Sequence, residues 1–516
     1  MQASRHYWHK CLGLVIFLIG LFLIPQGLLA DSASSLLPEI EQVLEDFDGL
    51  KSSETEKIDG SGIASSSEDE LIDVLEGFGD KGSEISPEGE LTDILGEFKD
   101  SDDTSSIEPA DVSRNRFNDL SGSLTFGVVY NIGHDAPATG EIDHQGFSRL
   151  RSKLDLALDH DLPFDFKFRI SGSAFYDAAF RAAGRADYPD SFLDQYESEI
   201  ELGETYLQGA LLKNLDIKIG RQVLSWGRSD SILITDIWNP LDQRTPGIVD
   251  IKDLKLPVTM TKLDGYMGDW SLSIVAAHEN RFSKLPVYGS DFYPSDQPLP
   301  PVEEPEDNLE NTEFGAALTG YFNGRDISFY TARFWDDTAH FTSDAFKREH
   351  SRLTMYGVAA SMAAGNWIIK GEAALTSGFR FFNQPDKSFE RADTMVGAEY
   401  SGFSETTIAL ELALFHYLDY DSVLAKVPDS TGNDQVQMAL RTTREFFNDR
   451  LAVTFLASVY GGDARDGAFE RISAEYDLTD SWTLSGGLIL YQNGRKPMFR
   501  NIEDNDRLFL NLAFHF

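Results

Sequence analysis

The last ten residues constrain this chain more than any other stretch. Leu508, Leu510, Leu512, Phe514 and Phe516 occupy every second position, and Arg507, Phe509, Asn511, Ala513 and His515 fall between them. A strand sends successive side chains to opposite faces. This segment therefore presents one unbroken apolar face and one mixed face carrying charge. It fits a wall with hydrocarbon on one side and water on the other, or an ordinary amphipathic strand over a soluble core. The aromatic Phe516 stands at the carboxyl terminus.

The amino terminus narrows the choice. Arg5, His6 and Lys10 precede an apolar run from Cys11 to Ile24, then Pro25 and a small-residue exit at Ala30. That is the layout of a secretory signal, 1–30, with cleavage expected after Ala30. The run is too short for a helical span, which needs about 20 residues. Cys11 is the only cysteine, so the mature chain is expected to have neither disulfides nor thiolate chemistry. No later segment is apolar for long enough to cross a membrane as a helix.

Charge divides the rest of the chain. The net charge is −41, and 31–112 holds 25 acidic against 4 basic residues. Such acidity argues against nucleic acid as a partner. Rich in Ser, Asp, Glu and Gly, 31–112 reads as a disordered acidic tail, with too little apolar surface to offset ordering entropy. Within it one pattern recurs, at Ile40–Phe47, Leu71–Phe78 and Leu91–Phe98. Each copy sets an apolar stripe at helical spacing: Val43, Leu44 and Phe47; Val74, Leu75 and Phe78; Ile94, Leu95 and Phe98. Two helical turns are not stable alone, so the motifs are expected to dock on a partner groove, three copies raising the effective concentration there.

From 113 to 516 the pattern changes to alternating segments. Lys153–Asp159 alternates cleanly, and in Phe164–Ile170 the residues Asp165, Lys167 and Arg169 share a face opposite Phe164, Phe166, Phe168 and Ile170. So much charge set against so much aromatic surface suits a barrel wall with a wet lumen. Tight Asn, Asp and Gly turns at 161–163, 213–214, 268–269, 323–325, 365–366, 402–404, 448–449 and 479–480 suit hairpins. They alternate with longer loops near 132–147, 178–197, 224–256, 280–311, 336–350, 379–391, 418–432, 462–466 and 493–504. The reading is all-β: a transmembrane antiparallel β-barrel of eighteen strands from Ser121 to Phe516, or sixteen if 257–279 is a loop excursion. An even count brings both ends to the same, periplasmic side. The 36 Phe, 18 Tyr and 7 Trp are enough to build interfacial girdles.

Two stretches carry a resemblance. The terminal strand, with Leu512, Phe514 and Phe516, resembles the closing strand of bacterial outer-membrane barrels, which implies recognition by the barrel assembly machinery and a final setting among outer-membrane lipid. Arg221-Gln222, Trp226-Gly227-Arg228 and Trp238-Asn239-Pro240 resemble a family of outer-membrane porin-like barrels, many carrying only a domain-of-unknown-function label; alginate-export-type barrels have a similar run. The resemblance is close over roughly 214–245 and architectural elsewhere, and the acidic tail is not part of it. It implies a segment that folds inward and narrows the pore. It also implies work beside inner-membrane exporters of the resistance-nodulation-division superfamily, hence bulky hydrophobic or lipid-like cargo, with the tail meeting periplasmic or inner-membrane transport proteins. A general diffusion porin, or a barrel that only tethers a periplasmic scaffold, are the alternatives.

Within the inward segment, Trp226 and Trp238 can anchor a turn while Arg221, Arg228, Asp230, Asp236, Asp242 and Arg244 pair across the lumen or form a charge ladder. The other reading is a brace that touches no solute. Strand parity puts Arg221 on the face of Leu215, Ile217 and Ile219, so it needs a bulge or an interfacial position. The loop at 280–311 is stiffened by Pro286, Pro294, Pro298, Pro300, Pro301 and Pro305, and its Glu303, Glu304, Glu306 and Asp307 lack the spacing of a calcium loop. The scattered histidines make no nucleophile or metal motif, so no catalytic residue, metal or cofactor is expected, and His515 is assigned to the lumen face.

Overall fold

Local alternation becomes wall and lumen in the computed structural model, which describes residues 119–137, 142–342 and 347–516. The chain divides into Met1–Arg114 and Asn115–Phe516, and every described residue belongs to the second unit. The signal, the acidic tail and its motif residues Val43, Leu44, Phe47, Val74, Leu75, Phe78, Ile94, Leu95 and Phe98 lie outside the described residues.

Eighteen antiparallel strands form one closed sheet. They are β1 Leu120–Asn131, β2 Gly146–Leu162, β3 Phe166–Asp177, β4 Ser198–Leu212, β5 Leu215–Gln222, β6 Val258–Met267, β7 Trp270–Ala277, β8 Glu313–Phe322 and β9 Arg325–Trp335. The circuit continues through β10 Arg352–Ala364, β11 Trp367–Phe381, β12 Gln384–Phe403, β13 Thr406–Leu418, β14 Asp434–Phe446, β15 Leu451–Tyr460, β16 Gly467–Thr479, β17 Trp482–Gln492 and β18 Arg507–His515. Closure comes from β18 lying along β1, from Ser123 opposite His515 to Asn131 opposite Arg507. Phe516 extends the seam by exchanging backbone hydrogen bonds with Gly122 at 2.9 and 3.0 Å. Closure leaves the sheet no open edge overall, which is what a membrane-spanning sheet requires.

The pair at 257–279 is real, as β6 and β7, which settles the count at eighteen. Short turns join the strands at one end, and that end also carries the start of β1 and the end of β18. Some turns move from their expected places: the first lies at 163–165, with Phe164 and Asp165 both at positive φ, so neither belongs to β3. The turn expected at 402–404 centres on 404–405. The expected loop at 379–391 is instead a hairpin, β11 and β12 pairing as far as Phe381 opposite Gln384. The sequence obscures it because Gly378 at φ +116 and irregular register between Ser377 and Phe381 interrupt the alternation.

Outside, the alternation exposes an apolar belt that includes Leu154, Leu156, Leu410, Leu412, Leu414, Val396, Leu508 and Leu510. Aromatic clusters border it: Trp270 with Phe322, Trp367 with Tyr400 and Phe403, and Trp482 with Phe514 and Phe516 near the turn end, and Tyr130 with Phe147 near the loop end. This is the arrangement of a transmembrane barrel with interfacial girdles. β5 to β9 are short, and β4 pairs with β5 only from Thr205 onward. Among the described residues, the upper part of β4, 198–204, has no sheet partner on that edge. Ile200 there is 89% exposed. The chain that leaves β5 at this notch turns into the lumen.

Candidate functional site

The lumen wall has two characters, and they decide where the inward segment goes. Around β7 to β13 many inward positions are small or apolar, with Val275, Ala277, Ala317, Ala332, Met355 and Ala374 all buried beside a few charged side chains. Around β1 to β4 and β16 to β18 they are polar or charged, among them Arg149, Lys153, Asp155, Ser173, Ser485 and Asn511. Residues 223–257 supply Trp226, Ile232, Ile234 and Trp238 to the apolar side, where one continuous core forms. Burial of side chains the size of Ile232 and Ile234 contributes about 1.5–3 kcal/mol each. The two indoles meet edge to face at 5.0 Å, and Trp226 stacks on Tyr330 at 4.9 Å.

Polar anchoring supplements the packing. The buried carboxylate of Glu372 on β11 accepts from the backbone N–H groups of Arg228, Ser229 and Thr235 and from the Thr235 hydroxyl. Glu411 on β13 accepts from the N–H groups of Asp230 and Ser231 and from the Ser229 hydroxyl. Two wall carboxylates thus satisfy a run of loop donors that water would otherwise have to reach, as buried backbone groups require. Gly227 sits at φ +83 and a Cβ there would lie 2.6 Å from the Glu372 carboxylate, so only glycine lets the loop approach this closely. Asn239 closes the base of the loop. Its amide nitrogen donates to the Gln222 and Leu256 carbonyls and its oxygen accepts from Leu224 N–H. The Trp-Asn-Pro signature therefore holds the loop's entry against its exit.

The sequence candidates separate into two groups. Arg228 pairs with Asp326 on the wall, Asp230 with Lys370, and Asp236 with Lys255 within the loop. With Trp226 and Trp238 they lie on the packed side. Burial pushes the Asp236 carboxyl above its usual range in spite of Lys255. Arg221 has no bulge, since the register with β4 and β6 runs unbroken through it; Gly220 takes φ +126, and the guanidinium meets Glu279 at 3.1 Å and Glu201 at 3.5 Å. Asp242 and Arg244 pair with each other, and Arg244 also reaches Glu199 at 2.7 Å; these two line open space. Against the burial penalty, Arg244 holds Asp242 below the ordinary carboxylate range. Further along, Asp250 bridges Arg471 and Arg441 on the far wall, and the Tyr491 hydroxyl donates to the Pro246 carbonyl. The loop thus crosses the lumen from wall to wall.

The space beside the loop along the polar wall holds three cavities. A cavity of about 230 Å³ opens beneath the loop end, a second of about 640 Å³ fills mid-lumen, and a third of about 500 Å³ lies at the turn end. The first two share Arg149, Arg151, Tyr196, Thr245 and Ile248; the last two share Asp155, Ser173, Gly203 and His515. The first shared set lies between the upper two cavities, and none of its five members stands out in the sequence as a site residue. In the second set His515 takes the lumen position that its strand parity predicts. A signal for the two arginines does exist. Arg149, Arg151, Lys153 and Asp155 alternate with Leu150, Ser152, Leu154 and Leu156, which places both arginines on the lumen face.

Over the mouth, 278–312 folds back as a roof rather than standing free. Asp291 receives Arg507 at 2.9 Å, Phe292 packs on Tyr491 at 5.4 Å, and Ser290 meets the Tyr196 hydroxyl. Although burial opposes it, the charge of Arg507, with His144 and His134, holds Asp291 at about 2. In the same loop Glu303 pairs with Lys347 and Asp307 accepts from Asn280 N–H.

No curated protein matches this chain. Among solved structures, OccK5 (OpdH) of Pseudomonas aeruginosa is 10% identical, with 77% of this chain and 97% of that one covered at a TM-score of 0.43. OccAB1 of Acinetobacter baumannii is 11% identical, with 78% and 97% covered at 0.44. Salmonella typhi OmpF in complex with daunomycin is 11% identical, with 77% and 97% covered at 0.36. Residues 143–516, from just before β2 to the closing seam, match the family described as "Protein of unknown function (DUF1302)", and the chain belongs to that family.

Proposed function

We propose that this protein is an outer-membrane channel of restricted bore, passing small polar and amphipathic solutes along the wall formed by β1–β4 and β16–β18. The observation that carries the reading is the run of three cavities joined through shared lining residues, beside a loop that packs the opposite half of the lumen. Charged groups of both signs line the passage, which suits hydrated solutes. The short-turn end, with both strand termini, faces the periplasm in this reading. The acidic tail then hangs where its three motifs can dock on periplasmic or inner-membrane transport proteins. Reconstitution of the full chain in liposomes tests the function: sugars of single-ring size should enter and cause swelling, while larger oligosaccharides should not. A barrel that admits neither is an anchor or a tether, and the channel reading fails. Deletion of 31–112 should abolish capture of periplasmic partners while leaving solute entry unchanged.

A second reading has one observation in its favour. The unpaired upper edge of β4, with Ile200 turned outward, offers a lateral route for bulky, lipid-like cargo, and Glu199 and Glu201 are bridged across it by Lys284 and Arg281. Glu201→Gln with Glu199→Gln should raise transfer of a fluorescent fatty acid between vesicles if that route is used, and leave sugar entry as it was.

A further inference from the structure

The uppermost cavity has the make-up of a binding site. One wall is aromatic: the short helix Asp190–Tyr196 stacks Phe192 on Tyr196 at 4.5 Å and on Tyr188 at 5.1 Å, with Phe180 edge-on to Phe192 at 5.2 Å. The facing wall carries three guanidinium groups, and two of them are already neutralised. Arg151 pairs with Asp177 at 3.2 Å and Arg507 with Asp291 at 2.9 Å. Asp177 is fully used, since its other oxygen accepts from Leu150 and Ala179 N–H. Arg149 is different. Its Nη2 donates to the Thr245 hydroxyl at 3.2 Å, and among the described residues no carboxylate lies within ion-pair distance of it. It also lines both this cavity and the mid-lumen one.

A guanidinium at the cavity surface with no anion in ion-pair reach is free to take one, and its planar donor fork is matched by a carboxylate. Asp143, Asp177 and Asp291 around the same space oppose a second negative charge. Phe192 is stacked by both Tyr188 and Tyr196, so the rings present their edges to the cavity, which suits the face of a flat aromatic body meeting them edge to face. A volume of about 230 Å³ equals roughly eight liquid waters at ~30 Å³ each, the scale of a single-ring compound.

We infer that this vestibule is a binding site for aromatic monocarboxylates, the carboxylate on Arg149 and the ring against Phe192 and Tyr196, holding them just above the mid-lumen cavity. The inference rests on the passage proposed above, but its test does not depend on conductance. Titration calorimetry on the detergent-solubilised full chain, with benzoate, benzamide and acetate as probes, reads it directly. Benzoate should bind about tenfold or more tightly than either of the others. Arg149→Gln should bring benzoate down to the level of benzamide, Arg149→Lys should retain part of the difference, and Phe192→Leu should weaken benzoate towards acetate. Heat-modifiable migration on gels reports whether each variant is folded, and Thr245→Ala, which frees Arg149 from its one hydrogen bond, should preserve benzoate binding if Arg149→Gln fails to fold. Equal binding of benzoate and benzamide, or benzoate binding that survives Arg149→Gln in a folded barrel, overturns the site. Either result would leave the channel itself standing, whereas binding without solute entry would overturn the channel and leave the site.

Discussion

Glu372→Gln tests how the inward loop is held. One Glu372 oxygen accepts from Arg228 and Ser229 N–H, and the other accepts from Thr235 N–H at 3.2 Å and the Thr235 hydroxyl at 2.8 Å. Glutamine keeps one acceptor oxygen and turns an NH₂ group towards the other two donors, so two charge-assisted hydrogen bonds are lost. Hydrogen bonds to a charged group contribute about 1.5–3 kcal/mol each, so the loop's attachment weakens by ~3 kcal/mol or more. Since every 1.4 kcal/mol is tenfold, the detached population rises roughly a hundredfold. The indole and isoleucine packing around Trp238 is untouched, so the barrel still folds. The assay is single-channel recording in planar bilayers, combined with limited proteolysis of the purified protein. The variant should show frequent openings to a larger conductance and new cleavage within 223–257. Wild-type conductance together with wild-type protease resistance would refute the idea that Glu372 holds the loop across the lumen. Adding Glu411→Gln should enlarge the effect by less than the sum of the two changes, because both carboxylates grip the same short run of backbone.

Other expectations rest on single contacts. Gly315→Ala puts a Cβ 2.5 Å from the Trp238 ring and 2.9 Å from Trp226; such overpacking costs about 1–3 kcal/mol and should lower the thermal unfolding midpoint on heat-modifiability gels. Removing Phe516 deletes the two backbone hydrogen bonds to Gly122 and should cut the yield of folded barrel far more than Phe516→Leu, as quantified in outer-membrane fractions. Asp291 has its carboxyl held at about 2 by Arg507, below the ordinary 3.8. Its pairing therefore stabilises the roof fully above about pH 4, and this contribution is lost as pH falls through about 2. Protease cleavage within 278–312 should increase over that window, and Asp291→Asn should abolish the dependence.

Much of the fold is legible from alternation alone. The eighteen strands and the closing seam at Phe516 follow from period-two patterning and from Asn, Asp and Gly at the turns, whereas the inward turn after Gly220 is implied by the resemblance carried by Trp226-Gly227-Arg228 and Trp238-Asn239-Pro240. The hairpin at 381–384 is not legible, because irregular register around Gly378 blurs the period and polar residues there read as loop. The inward motif is visible in the sequence, but its division is not. Trp226, Arg228, Asp230, Asp236 and Trp238 lie on the packed side while Asp242 and Arg244 face the passage, and that depends on where the opposing wall is apolar. The partners Glu372, Glu411, Asp326 and Lys370 are more than ninety residues away in sequence, and nothing local announces them. Taken with the parity of their strands they are charges among apolar neighbours, as Glu411 is between Leu410 and Leu412. Arg149 and Tyr196 escape notice for a similar reason: an alternating arginine looks like any lumen residue until its surroundings are found to hold no carboxylate for it.

In the proposed channel, solutes pass by the set of residues around Thr245. Cys11 is the only cysteine, so in a Cys11→Ser background an introduced cysteine gives an unambiguous thiol. Thr245→Cys places one in that set, and Leu412→Cys places one on the lipid-facing belt. In planar bilayers the Thr245→Cys barrel should carry a steady ion current that falls on reaction with a water-soluble methanethiosulfonate, while the Leu412→Cys current stays constant. A current that is indifferent to modification at position 245, or no current from the folded full chain, would contradict the account.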